Sequence, residues 1–292
     1  MNTSRLLLMG IGSVLALASS MSTLAAPAAK STPADSAVAN LDAAIAGKWR
    51  DPKNVERDKY RHPKQTLEFF GVQPNMTLIE ITPGGGWYSE ILAPFLKDSG
   101  TYYAAVVKPK KKEGEDAQDM DAIHKKFASD ATEYGNAKFV EFDGKAPNLG
   151  ANNSADMVVT FRNVHNWVMA DTAPLMFKAF YSVLKPGGVL GITDHRAAKG
   201  ADLEKIKKTG YLPEDFVIKL ATDAGFKLVG KSEINANPKD TKDYPEGVWT
   251  LPPTFALKDK DHDKYAAIGE SDRMTLKFMK PGTDKIFKGT DK

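Results

Sequence analysis

Short hydrophobic runs alternate along most of the chain with longer segments that place hydrophobic residues at helical spacing. The runs predict strands at 76–82, 101–107, 138–143, 155–161, 189–193, 226–234 and 274–279. The segments between them predict helices at 87–96, 116–129, 173–184 and 213–224. Helical spacing also occurs over 58–70, where His62-Pro63 forms a turn.

Strands separated by helices imply right-handed crossovers between neighbouring parallel strands. The predicted fold class is therefore α/β, with a doubly wound, mostly parallel sheet and helices on both faces. In such sheets, ligands bind beyond the carboxyl ends of the strands, where the direction of winding switches. The residues that directly follow each predicted strand are the first candidates for chemistry.

The first 25 residues have the pattern of a secretory signal peptide. Arg5 precedes an apolar run at 6–17, and small residues dominate 19–28. Cleavage is expected after Ala25 or Ala28, which predicts a periplasmic or secreted protein with no stable membrane span after cleavage. An uncleaved membrane anchor is the alternative, although the apolar run is short for a bilayer.

Composition narrows the function classes. The 292 residues include no cysteine, which excludes disulfide frameworks, thiolate zinc sites, iron–sulfur clusters and cysteine nucleophiles. A net charge of +3, from 40 basic and 37 acidic residues, is too balanced to indicate a nucleic-acid partner. The segment 26–40 is rich in Ala, Pro and Ser and predicts a disordered tether, followed by a single domain at 41–292.

A glycine-rich turn follows the first predicted strand directly and opens a helix. After Glu80 and Thr82 come Gly84, Gly85 and Gly86, which allow close backbone approach of a ligand. The next helix offers unpaired N–H groups at its start. A purely structural turn is the alternative.

With these residues the sequence resembles the class I S-adenosylmethionine-dependent methyltransferases, and in particular a family of secreted bacterial predicted methyltransferases. The resemblance covers about 55–280. It rests on the pattern of Glu80, Gly84 and Gly86, on the junction 184–190 (LKPGGVL), and on the count of seven strands. It implies a Rossmann-like sheet of order 3-2-1-4-5-7-6 in which strand seven is antiparallel, and it implies S-adenosylmethionine as cofactor.

The resemblance also implies roles for residues at the strand ends. Glu80 matches an acid that faces the cofactor region, and Gly84, Gly85 and Gly86 match the loop beneath the methionine and ribose. Asp143 matches a polar residue that contacts the adenine amine.

Two positions depart from the family pattern. Thr82 stands where a glycine is usual, and Lys108 follows strand two where an acid usually holds the ribose hydroxyls. An ammonium group donates hydrogen bonds but cannot accept them. Lys108 and the lysines at 110–112 either hold an anionic group at this edge or belong to a solvated loop.

Polar residues cluster after strand four. Arg162 and Asn163 are candidate cofactor-binding residues, and His165 is a candidate general base, since its ordinary pKa lies near neutrality. Trp167 is a candidate for packing on a substrate. A structural hydrogen-bonding role for His165 and a core role for Trp167 are the alternatives.

A second polar triplet follows strand five. Asp194 and His195 are candidate catalytic residues, and Arg196 is a candidate substrate-binding residue. An ion pair between Asp194 and Arg196 that rigidifies the loop is the alternative. With five histidines and no spacing such as His-x-x-x-His, no metal site is predicted.

The segment 235–273 is long for a connection between two strands. If strand seven returns antiparallel, this insertion begins and ends at the carboxyl edge of the sheet. We expect Tyr244, Trp249 and the stretch 269–273 to form a lid or a substrate-selecting surface over the pocket. A stable surface excursion held by prolines is the alternative.

These features lead to two functional hypotheses. The first is an exported S-adenosylmethionine-dependent methyltransferase that acts on a small molecule or an exposed group in the cell envelope. The second is a non-catalytic protein on a methyltransferase scaffold, which binds a ligand or partner in the same crevice. The glycine-rich turn and the polar residues after strands four and five favour the first hypothesis, whereas Lys108 and the export signal favour the second. The sequence predicts no oligomeric state.

Overall fold

The computed structural model describes residues 40–108 and 122–282. Within them, seven strands form one sheet of order β3-β2-β1-β4-β5-β7-β6. The strands are β1 (Thr77–Ile81), β2 (Thr101–Val107), β3 (Lys138–Phe142), β4 (Ala155–Phe161), β5 (Leu184–His195), β6 (Lys227–Ser232) and β7 (Arg273–Met279). Strand β7 pairs antiparallel with β5 and β6, and the other pairs are parallel. The predicted fold class and strand order are confirmed.

Helices of different lengths connect the strands. They are α1 (40–45), α2 (Pro52–Val55), α3 (Asp58–Arg61), α4 (Pro63–Phe70), α5 (Ser89–Leu96), α6 (Ala122–Ser129), α7 (Ala131–Tyr134), α8 (Val164–Met169), α9 (Ala173–Val183), α10 (Leu203–Ile206), α11 (Glu214–Asp223) and α12 (His262–Ile268). The signal peptide and nearly all of the tether predicted from the sequence lie outside the described residues, as does 116–121 of one predicted helix.

Both faces of the sheet are covered by helices. Leu78 of β1 packs with α4, α5 and α6 in one buried cluster. Its neighbours Ile79 and Ile81 point the other way, into a cluster with α8, α9 and α11. This alternation follows from the two-residue period of a strand and confirms the predicted layers.

The turn predicted at His62-Pro63 divides 58–70 into two helices, and there His62 adopts a left-handed conformation (φ 41°) before Pro63. Strand β5 differs more from the prediction. It begins at Leu184 rather than 189, since 185–188 pairs with the chain beyond β7. There the Gly187 N–H donates to the Lys280 carbonyl at 2.8 Å.

The insertion 235–273 begins and ends at the carboxyl edge of the sheet, because β6 runs parallel to β1–β5 and β7 returns antiparallel. Its two ends are held together by hydrogen bonds. Asn235 Nδ2 donates to Thr275 Oγ1 at 3.0 Å, and Asn237 Nδ2 donates to the Glu270 carbonyl at 2.7 Å. Over the described ranges, every helix is too short or too polar to cross a membrane.

Candidate functional site

The winding direction of the sheet switches between β1 and β4, which lie side by side with β2 and β5 on their outer edges. The residues that leave these two strands, Thr82 (φ 50°) and Arg162 (φ 62°), both adopt the left-handed conformation. This conformation is unfavourable for side chains other than glycine, and it clusters at functional sites. The strain explains why the family pattern has a glycine where this chain has Thr82.

Asn163 joins the ends of the two strands. Its Nδ2 lies 3.0 Å from the Ile81 carbonyl, 3.3 Å from the Thr82 carbonyl and 3.1 Å from Thr160 Oγ1. The amide hydrogens of this predicted cofactor-binding residue are therefore used to hold β1 against β4.

A crevice of about 670 Å³ opens beside this junction, at the carboxyl ends of β1–β4. Thr82, Lys108, Asp143, Asn163 and Trp167 line it, as do apolar side chains of Val107 and Phe142. Such a volume with mostly apolar walls and a few polar groups is typical of small-molecule sites. The structure thus brings five of the predicted site residues to one cavity.

Trp167 has two environments in this arrangement. Its side chain is buried and meets Phe180 edge-on, with 5.5 Å between ring centroids, yet it also borders the crevice. It therefore lies at the crevice and belongs to the core at the same time.

The glycines lie next to the crevice without lining it. A Cβ atom built on Gly84 or Gly85 would meet no described atom within 4 Å. On Gly86 it would lie 2.6 Å from Ile123 Cδ1 of α6, so packing accounts for that glycine. The open space above Gly84 and Gly85 leaves room for a ligand to approach the backbone.

Glu80 points into the interior. Its Oε2 accepts hydrogen bonds from Ser89 Oγ at 2.8 Å and Tyr102 OH at 2.6 Å. Burial raises the pKa of Glu80 to about 7, against the effect of these two hydrogen bonds. The carboxyl group borders only a small cavity of about 30 Å³, which separates it from the crevice.

A second cavity, of about 210 Å³, lies on the other side of Arg162. We call it the histidine pocket, and its lining includes Arg162, His165, Asn166, His195 and Trp249. Asn166, which is exposed, lines both this pocket and the crevice, so the two cavities are neighbours.

His165 and Asp194 form a hydrogen-bonded pair behind the pocket. His165 Nδ1 lies 2.9 Å from Asp194 Oδ1, which also accepts the His195 backbone N–H at 2.7 Å. Because a carboxylate only accepts, this contact places the proton on Nδ1 and leaves Nε2 of His165 as an acceptor. Asp194 is fully buried and positions His165.

His195 lies beside His165. Its Nδ1 lies 2.6 Å from Ser271 Oγ, and its ring centroid lies 5.0 Å from that of His165. Burial lowers the pKa of His195 well below its ordinary range, and repulsion by His165 and Arg162 lowers it further. His195 is therefore uncharged at neutral pH.

His165, Asp194 and His195 come close enough for a shared metal ion, with ligand atoms within 4.8 Å of one another. The surrounding charge opposes this use. Protonation of His195 is disfavoured by the positive charges of Arg162, Arg273 and Arg61. The same positive electrostatic potential repels a metal cation.

Two predicted substrate-binding residues lie outside both cavities. Arg196 forms ion pairs with Glu233 at 2.6 Å and Asp272 at 2.9 Å, and it does not pair with Asp194. Tyr244 packs against Tyr265, with 5.9 Å between ring centroids. Of the residues expected in a lid, Trp249 borders the histidine pocket, and its ring meets His165 edge-on at 6.0 Å.

Sequence reasoning missed a group of buried charges beside the pocket. Arg61 lies in α3, and Arg57 directly precedes that helix. Both donate to Glu270 in the insertion. Arg273, at the start of β7, donates to the same carboxylate at 3.0 Å. No motif marks these residues, because more than 200 positions separate Arg57 from Glu270.

The sequence matches no protein-family model, and it matches no curated protein. Solved structures do resemble the fold. One described as a SAM-dependent methyltransferase from Aquifex aeolicus has 18% identity and a TM-score of 0.51, covering 86% of this chain and 100% of its own. A putative sarcosine dimethylglycine methyltransferase from Galdieria sulphuraria has 15% identity and a TM-score of 0.52, covering 79% and 88%.

A third structure, described as the [4+2]-cyclase SpnF, has 16% identity and a TM-score of 0.52, covering 84% of this chain and 93% of its own. A [4+2] cyclisation is a different reaction from methyl transfer, so a similar fold does not determine the reaction. At these sequence identities the comparisons show the fold and not the reaction. The chain has the Rossmann-like fold of class I SAM-dependent methyltransferases.

Proposed function

We propose that this chain is an S-adenosylmethionine-dependent methyltransferase that acts on a small molecule. The observation that carries the proposal is that Asn166 lines both the crevice and the histidine pocket, so the two cavities are neighbours. The crevice lies where this fold takes its ligand, at the switch between β1 and β4. The adjoining histidine pocket holds groups suited to an acceptor, so both reactants fit side by side.

The residues of the crevice fit the expected cofactor. Thr82 Oγ1 is buried and has no hydrogen-bond partner among the described residues, so it is ready to bond a ligand. Val107, Phe142 and Trp167 offer apolar walls for an adenine ring, and Asp143 stands at the rim. When bound, the cofactor supplies a methyl group on a cationic sulfur.

His165 would act on the acceptor as general base. Asp194 fixes the ring so that its unprotonated Nε2 is available, in the way that a carboxylate orients a catalytic histidine. A hydroxyl or amine acceptor bound in the histidine pocket would give up its proton to Nε2 of His165, which would make it a better nucleophile. Trp249 and the prolines beside it help to exclude water from this space.

One observation favours the second candidate, a binding protein on the same scaffold. Strand β2 ends in Val107 and Lys108, and Lys108 lines the crevice where the family pattern has an acid. An ammonium group cannot accept hydrogen bonds from two ribose hydroxyls. A scaffold with this change would hold a different ligand in the crevice.

We also propose that the protein works outside the cytoplasm, like the secreted bacterial group that it resembles, and acts in the cell envelope. The charge and hydropathy of the first 25 residues support this. Expression of the full chain in a bacterial host should give a periplasmic protein that begins at Ala26 or Ala29, as read by N-terminal sequencing. An intact N-terminus in the cytoplasmic fraction would contradict the proposal.

Cofactor binding is tested by calorimetric titration of the wild type and of Gly84→Ala with S-adenosylmethionine and S-adenosylhomocysteine. We expect the wild type to bind both. The added methyl group enters the open space above the loop, so the variant should lose at least tenfold in affinity.

Gly187→Ala is the matched control. Gly187 also has a positive φ (82°) and open space around it, but it lies at the opposite end of the sheet. Both variants should lose about 1–2 kcal/mol of stability from left-handed strain, and only Gly84→Ala should lose affinity. Absence of binding to the wild type at millimolar ligand would favour the binding protein instead.

The role of the histidine pair is tested by nitrogen NMR of the imidazole rings over a pH titration. We expect His165 to carry its neutral-state proton on Nδ1, and Asp194→Asn to remove this preference because an amide can also donate. His195 should stay neutral below pH 6.5, since burial disfavours its charged form. An Nε2-protonated His165 in the wild type would refute its assignment as a base.

A further inference from the structure

Four arginines surround the inner end of the histidine pocket. Arg57, Arg61, Arg162 and Arg273 interact electrostatically around one buried acid, Glu270. Glu270 accepts from Arg57 Nε at 2.8 Å, Arg61 Nε at 3.1 Å and Arg273 Nη1 at 3.0 Å. Asp194 is the other acid that faces Arg162. Four cations therefore face two anions, and one of those is already bonded to His165.

The positive charge of this group is not fully compensated. Arg57 Nη2, Arg61 Nη2 and Arg273 Nε are buried without a hydrogen-bond partner among the described residues. Burial opposes ionisation of Glu270, but the surrounding arginines outweigh it and bring its pKa to about 2. Burial, followed by repulsion from Arg273 and Arg57, lowers the pKa of Arg162 to about 10 despite the attraction of Glu270. An additional anion would stabilise the group.

Arg162 differs from its three neighbours in having no partner. Arg61 stacks on Trp87 at 4.8 Å, and Arg273 donates to the Tyr60 carbonyl. The guanidinium of Arg162 makes no hydrogen bond or ion pair with any described residue. It borders the histidine pocket on one side and, together with Arg61, the cavity of about 30 Å³ on the other.

The backbone of Arg162 is also in an unfavourable conformation for its side chain. A residue other than glycine is strained at φ 62°, and such strain persists where the rest of the structure enforces it. A strained, half-buried cation without a partner among the described residues contributes little to the fold. Its features are those of a group held ready for a ligand.

From this geometry we infer that the histidine pocket binds an anionic group of the acceptor, a carboxylate or a phosphate, through the guanidinium of Arg162. The planar fork of an arginine matches two oxygens of either group. The pocket volume of about 210 Å³ limits the acceptor to a small molecule. The inference deepens the proposed function, because the bound anion would place a nearby hydroxyl or amine of the same molecule against His165.

The test uses calorimetry on protein free of S-adenosylmethionine, at constant ionic strength, with succinate, inorganic phosphate and the neutral analogue succinamide. We expect one of the anions to bind the wild type and succinamide not to bind. In Arg162→Asn, whose side chain tolerates the left-handed backbone, the affinity for the anion should fall at least tenfold. The preferred anion identifies the group that the acceptor carries.

Two control variants locate the effect. Lys219→Gln removes an exposed charge paired with Asp223 on α11, and Lys108→Gln removes the cation at the crevice. Neither should change the affinity for the anion. The melting temperature of Arg162→Asn should equal or exceed that of the wild type, because a strained, half-buried cation is removed. Arg162→Lys, which keeps the charge without the fork, should bind with intermediate affinity.

The inference is overturned if neither anion binds the wild type, if Arg162→Asn binds as tightly as the wild type, or if Lys108→Gln causes the loss instead. A large fall in the melting temperature of both Arg162 variants would show a structural role and would likewise overturn it. Because no cofactor is present, each of these results is independent of S-adenosylmethionine binding.

Discussion

The contact on which the rest of the site depends is the junction of β1 and β4, made by the side-chain amide of Asn163. By donating to the carbonyls of Ile81 and Thr82, it holds together two strands whose following chains depart to opposite sides of the sheet. Because the chains that follow β1 and β4 turn away from each other, a crevice opens between them. The sharp turns at the ends of these strands leave Thr82 and Arg162 in left-handed conformations. The same junction therefore creates the space for a ligand and fixes Thr82 at the crevice and Arg162 at the histidine pocket.

Charge divides the region around this junction into two parts. On one side the crevice has mainly apolar walls, with Lys108 and Asp143 at its rim. On the other side, the arginines around Glu270 keep the histidine pocket positive, and burial together with their charge keeps His195 neutral. A positive pocket disfavours a metal ion at the three neighbouring ligand groups and suits an anionic molecule. His195, which stays neutral, adds no further cation to this pocket.

Much of the fold could be predicted from the sequence, because each strand is a short, buried run between turn residues and helices. The gathering of Thr82, Lys108, Asp143 and Asn163 follows from the same pattern, since parallel strands bring their carboxyl ends to one edge. The prediction that Arg196 binds substrate rested only on its position after strand five. In the structure its guanidinium pairs with Glu233 and Asp272, which are distant in sequence. The arginines around Glu270 come together only through tertiary packing, so no local sequence pattern predicts the group. Helix α8 was not predicted either, because it is too short to show a helical period of hydrophobic residues.

The central claim is that the crevice between β1 and β4 is the binding site of an adenosyl ligand. A crystal structure of the protein with S-adenosylhomocysteine tests it most directly. The account predicts density for the adenine between the apolar walls at Val107, Phe142 and Trp167, with the amino-acid part above Gly84. Density elsewhere on the molecule, or a crevice closed by its own side chains at saturating ligand, would contradict it.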